Sequence, residues 1–185
     1  SFLPDSVVLA EEIQDERVGK AHTIYIDSAN ALMYLCAVTP IVNGQEGSLI
    51  PLRVFSLSDP LNPILLWEGF DDLNEVHDIE VRDQIAILNC GFDGIRIYDF
   101  SNPIEPIYLS NLEFYQEQGY NHQGSLSPDK KTYVFADETP GTRLKECAIS
   151  EQYELQVQSL FGMENAPYDK TAHNIYTTNN LAYVA

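Results

Sequence analysis

The chain has 185 residues, 44% hydrophobic and 11% aromatic, which is enough for one domain with a real core and unlike a disordered chain. Ten basic residues against 28 acidic ones give a formal net charge of −18. This balance argues against nucleic acid as a partner, since phosphate backbones are held by cationic patches. It suits a solvated acidic surface, cation binding or a saline exterior. No apolar run approaches the ~20 residues of a membrane span. SFLPDSVV lacks the basic start and long apolar core of a signal peptide.

From the N-terminus, VVLAEEI reads as an outer strand of a preceding unit, and the charged stretch from Glu11 to Arg17 is the best helical candidate in a chain with almost no helical periodicity. At His22 a repeat begins. HTIYID is followed by a turn at Ser28-Ala29-Asn30, then ALMYLCAV, the insertion TPIVNGQEGSLIP, LRVFSL, the turn SDPLNP and ILLWEGF. The second copy starts at His77: HDIEV, IAILNC, the tight turn Gly91-Phe92-Asp93-Gly94, IRIYDF and SNPIEP. The third starts at His122 with HQGSLS, TYVFADE, LKECAIS and ELQVQSLF, and its SEQYE is a worn form of the proline turn. The fourth, HNIYTTNNLAYVA, starts at His173. Period-two alternation bounded by Gly, Asp, Asn and Pro predicts short antiparallel strands joined by hairpins. A period of about 50 residues with room for four strands suits a propeller blade. The predicted fold is therefore all-β, a β-propeller of four-stranded antiparallel blades. Its single domain, residues 1–185, divides into repeats at roughly 20–70, 75–115, 120–161 and 171–185, with partial blades at each end. Such an array leaves raw sheet edges. Closure of the ring is expected to come from the remainder of a longer chain or from partner chains.

The three cysteines, Cys36, Cys90 and Cys147, form no CxxC motif. Cys36 and Cys90 fall at equivalent positions of neighbouring repeats. They read as small buried apolar sites, with an inter-blade disulfide open if the Cα atoms approach within about 7 Å. Trp67 and Tyr25, Tyr98, Tyr108 and Tyr176 read as packing between blades. No GxSxG, HExxH, GxxxxGK or GxGxxG string occurs.

The repeat resembles the choice-of-anchor B family, the extracellular LVIVD-repeat β-propellers of bacteria. The residues that carry the resemblance are AHTIYID with LRVFSLSDPLNP, VHDIEVRD with GFDGIRIYDFSNP, YNHQGSLSPDKKTYVFADETPG and AHNIYTTNNLAYVA. It covers about Lys20 to Ala185. LKECAISEQYE and the insertion after Val38 depart from the family pattern. The resemblance implies a secreted or surface-displayed propeller, normally longer than this chain, and assigns no activity.

All four histidines, His22, His77, His122 and His173, stand at one register of the repeat. In a propeller the first strand of each blade lines the channel, so the four imidazoles are expected near one channel mouth. Two readings stay open. Each His stitches its blade to backbone or to a carboxylate of the next, or the imidazoles ring a transition metal such as Zn, Fe or Cu. Glu75, Asp78 and Glu80 are candidates to orient the rings. Asp93, Asp137 and Glu138, in loops expected at the same mouth, are candidates for Ca²⁺ or, on the bland reading, turn-forming residues. The expected function is an interaction or binding module taking a surface or matrix protein or a polysaccharide. A metalloenzyme of oxidase, oxygenase or hydrolase type, or a subunit of an extracellular assembly, are the alternatives.

Overall fold

A computed structural model describes residues 17–162, 170–178 and 180–185. The expected outer strand VVLAEEI and most of the helical candidate from Glu11 lie outside the described residues. Among these residues there is no helix, and so none long and apolar enough to cross a membrane. The architecture is all-β.

Three four-stranded antiparallel sheets follow one another along the chain. The first contains β1 (Thr23–Asp27), β2 (Leu32–Val38), β5 (Ile50–Ser56) and β6 (Ile64–Gly69), in that order. The insertion after Val38 forms a two-stranded hairpin, β3 (Ile41–Val42) with β4 (Gln45–Glu46), and leaves the sheet order intact. The second sheet runs β7 (Asp78–Arg82), β8 (Ile85–Asn89), β9 (Ile95–Asp99), β10 (Ile107–Leu112). The third runs β11 (Asn121–Leu126), β12 (Thr132–Asp137), β13 (Leu144–Ile149), β14 (Leu155–Phe161). A further hairpin pairs β15 (Ile175–Thr177) with β16 (Ala182–Val184).

The turns carry the repeat's chemistry. In SDPLNP, Asp59 Oδ1 accepts from Leu61 N at 3.1 Å; in SNPIEP, Asn102 Oδ1 accepts from Ile104 N at 3.4 Å. In the worn third copy Ser150 Oγ takes over, accepting from Gln152 N at 3.2 Å and Glu154 N at 3.0 Å. A short side-chain oxygen that bonds its own backbone two residues on is what each turn needs, and proline is dispensable.

Strand alternation sends successive side chains into different cores. In β8, Ala86 and Leu88 join a core shared with Tyr34, Cys36 and Val54 of the first sheet, while Ile87 joins a core with Tyr133 and Phe135 of the third. In β12, Val134 and Ala136 face Ile175 of the last hairpin. Central strands are thus buried on both faces, which explains the unbroken apolar run LMYLCAV of β2.

The first strands of the units lie side by side: β1 against β7, β7 against β11, β11 against β15. Side-chain-to-backbone bonds tie each to the next. Tyr25 OH donates to Val81 O at 2.8 Å, Glu80 Oε2 accepts from Leu126 N at 2.6 Å, and Gln123 Oε1 accepts from Ile175 N at 2.6 Å. Gly124, on β11, has no room for a side chain. A Cβ there would lie 2.4 Å from the Tyr133 ring.

All three cysteines are buried free thiols, so no inter-sheet disulfide forms. Burial pushes the Cys147 thiol up to about 12 and keeps it unreactive. Trp67 packs as expected, 5.9 Å from Phe100. Tyr108 and Tyr176 correct the expectation of inter-sheet packing: they are 50% and 66% exposed, because both sit on the open face of their strands.

Candidate metal site on the first strands

Every histidine stands at or just before the first strand of its unit, and adjacency of those strands brings the rings into one file. Centroid separations are 4.0 Å for His22 and His77, 4.5 Å for His77 and His122, and 4.1 Å for His122 and His173. Their environments differ. His77 and His122 are buried, and His22 and His173 are exposed.

Hydrogen bonds fix the tautomer of the two buried rings. His122 Nδ1 lies 3.0 Å from the carbonyl oxygen of His173. A carbonyl only accepts, so Nδ1 carries the proton and Nε2 keeps its lone pair. His77 Nδ1 lies 2.7 Å from Tyr120 OH, whose single proton goes to Glu75 Oε1. His77 Nδ1 must then donate, and Nε2 again keeps its lone pair. That Nε2 is buried and meets no hydrogen-bond partner. Burial first, then the other three imidazoles, pulls His77 down to about 4. Burial and His173 also lower His122. Both rings are therefore neutral near pH 7, the form that ligates metals.

Stitching and ligation are thus compatible. The Nδ1 edge of each buried ring ties one unit to the next, and the Nε2 edge keeps its lone pair.

Ligand atoms converge at one place. Among the described residues, His122, Glu138 and His173 bring one donor each to within 4.8 Å of one another. Glu138 Oε1 is 3.7 Å from His173 Nε2, and its Oε2 is 3.9 Å from His122 Nε2. Glu138 directly follows β12, whose end is paired with the start of β11. His22 and His77 are not members of this set, although their rings continue the same file.

The other candidates serve the scaffold. Asp137 is not open to Ca²⁺: it is 1% exposed and accepts from Lys145 Nζ, Gly119 N and Tyr115 OH, each at 2.8 Å. Asp93 ties the GFDG turn to the segment before β7 by accepting from Asn74 N and Nδ2, both at 3.0 Å. Asp78 Oδ1 accepts from Ile79 N at 2.6 Å, and among the described residues it makes no hydrogen bond to an imidazole. Glu80 bonds β11, and Glu75 acts through Tyr120.

Sequence reasoning did not single out Tyr120. Its signal is its place two residues before His122, which with the Gly91–Asn121 bridge sets it beside the preceding unit's His77. It also left out the buried chain from Tyr133 OH to Asn89 Oδ1 and from Asn89 Nδ2 to Asn121 Oδ1, each bond 2.8 Å.

Titration here has two opposing parts. His77 has a folded pKa below its ordinary value, so stability is present above about 6.5 and is lost as pH falls toward about 4. Burial raises Asp78 to about 6, so the folded state resists its ionisation, and stability falls as pH rises from about 4 to 6. Glu80 has the same sign as Asp78. Asp78→Asn should therefore steepen the gain in melting temperature between pH 4 and 7. An unchanged slope would show that Asp78 ionises freely.

No family model matches the chain, and no curated protein matches it. Solved structures do. A computationally designed protein aligns over 98% of this chain and 92% of its own, with TM-score 0.59 and 12% identity. A Lactobacillus plantarum protein aligns over 83% of this chain and 45% of its own, with TM-score 0.60 and 14% identity. A hypothetical selenium-binding protein from Sulfolobus tokodaii aligns over 75% and 40%, with TM-score 0.54 and 14% identity. These likenesses concern the fold. The chain spans less than half the length of the two natural proteins.

Proposed function

We propose that this chain is part of a β-propeller displayed outside the cell, and that it is a binding module holding a divalent transition metal on the propeller axis between His122, Glu138 and His173. The observation that carries the metal reading is the convergence of those three donors within 4.8 Å, with the Nε2 lone pair of His122 fixed by its Nδ1 bond. Two imidazoles and one carboxylate suit Zn²⁺, Fe²⁺ or Cu²⁺ better than Ca²⁺, which takes oxygen ligands. The propeller reading is supported by three like sheets in succession, by first strands packed side by side and by the structural neighbours. Display outside the cell rests on the resemblance of the repeat and suits a charge of −18.

A metalloenzyme is the second reading, and one observation favours it. Three protein donors leave coordination positions free for water or a substrate. Phe92, 75% exposed and 5.2 Å from Tyr120, offers an apolar surface close by.

Titration with Zn²⁺ or Co²⁺ tests the site. The protein should bind about one ion that excess Ca²⁺ does not displace. His173→Ala, at an exposed ring, should weaken binding ~100-fold with little change in melting temperature. Equal affinity in wild type and this variant would refute the assignment.

A further inference from the structure

The Glu75–Tyr120–His77 chain is not used by the three-residue set, yet it has the form of a ligand support. His77 is 7% exposed, and its Nε2 is the one buried imidazole nitrogen without a partner among the described residues. Leaving a buried acceptor unpaired is destabilising, commonly by about 1–3 kcal/mol, and invites a functional explanation. The other edge of the ring is held firmly. Nδ1 donates to Tyr120 OH, and Tyr120 donates to Glu75. A carboxylate acting on the far side of an imidazole fixes its tautomer and raises its donor strength, which is how ligating histidines are usually supported.

We propose that His77 is a third imidazole ligand of the His122–Glu138–His173 site and that Tyr120 and Glu75 are its positioning pair; this rests on the metal reading above. The geometry supports it. Two imidazoles at right angles on one ion, with metal–nitrogen bonds of about 2.0–2.1 Å, have centroids roughly 4.5 Å apart. The centroids of His77 and His122 are 4.5 Å apart, and those of His122 and His173 are 4.1 Å apart. His77 is not one of the three-residue set, so ion binding draws its ring toward His122 while Tyr120 serves as the pivot. The resulting donor set is three imidazoles and one carboxylate. It takes a nitrogen-preferring ion of the Cu²⁺ or Zn²⁺ kind and discriminates against Mg²⁺ and Ca²⁺.

Cu²⁺ titration followed by electron paramagnetic resonance tests this in the intact protein. Wild type should show superhyperfine coupling to three nitrogens, and His77→Ala should show two. Tyr120→Phe removes the acceptor for Nδ1–H and should weaken Cu²⁺ binding ~10–100-fold, the usual effect of losing such a support. Glu75→Gln keeps an acceptor for Tyr120 and should fall between Tyr120→Phe and wild type. Two nitrogens in wild type, or unchanged affinity in Tyr120→Phe, would overturn the inference while leaving the three-residue site intact. No Cu²⁺ binding by wild type would sink both. Should His77→Ala fail to fold, the Tyr120→Phe and Glu75→Gln affinities still decide the matter.

Discussion

Lys145→Met should destabilise the protein by about 3–5 kcal/mol, among the largest effects of any single substitution. The Lys145 and Asp137 side chains are both fully buried, with Nζ 2.8 Å from Oδ2. Met keeps the volume and apolar stem of Lys, so lost packing contributes little. What remains is a carboxylate stranded in a dry environment, which is why breaking one side of a buried pair is so much worse than lacking the pair. Asp137→Asn should fall in the same range, since it strands the ammonium instead. The double variant should be less destabilised than the sum of the two singles, because the second change removes a charge that has already lost its partner. It will not return to wild type, as Asp137 also accepts from Gly119 N and Tyr115 OH. Urea denaturation of the four proteins supplies the cycle. Single-variant losses under 1 kcal/mol would mean that water reaches the pair.

Phe100→Ala should be comparably severe, at about 3–5 kcal/mol. Phe100 is fully buried between the first two sheets, with ring centroids 5.4 Å from Tyr34 and 5.9 Å from Trp67. Both contacts are edge-on, a geometry in which aromatic pairs add about 0.5–1.5 kcal/mol beyond burial. Its backbone N–H donates to Gln84 O at 2.8 Å, so the strand end is pinned and cannot collapse into the cavity. For a domain of this size each kcal/mol shifts the melting temperature by about 2–4 °C, so the variant should melt roughly 6–20 °C lower. Phe92→Ala is the control. That ring is 75% exposed, and the loss should stay within about 0.5 kcal/mol. Equal melting temperatures for the two variants would contradict the buried position of Phe100.

The strands and their pairing order were legible because both are local. Alternation in HDIEV and IRIYDF, and turn residues in SDPLNP and GFDG, act within a few residues of themselves. The structure accordingly has three four-stranded antiparallel sheets. The worn third turn was harder, because Ser150 performs with one hydroxyl what Asp-Pro or Asn-Pro does elsewhere.

The candidate site divides along the same line. Sequence spacing alone put four histidines at one register, and a repeating backbone must then bring them together. Sequence could not rank them, because exposure depends on what packs above each ring. Among the described residues His77 and His122 are buried, while His22 and His173 are exposed. Nor could it separate Asp137 from Glu138. They are adjacent residues, but strand alternation turns Asp137 inward onto Lys145 and leaves Glu138 facing the imidazoles. Tyr120 and His77 are 43 residues apart and belong to different units. Their contact exists only because one sheet packs on the next, so only the tertiary structure decided which nitrogen of each ring is left free.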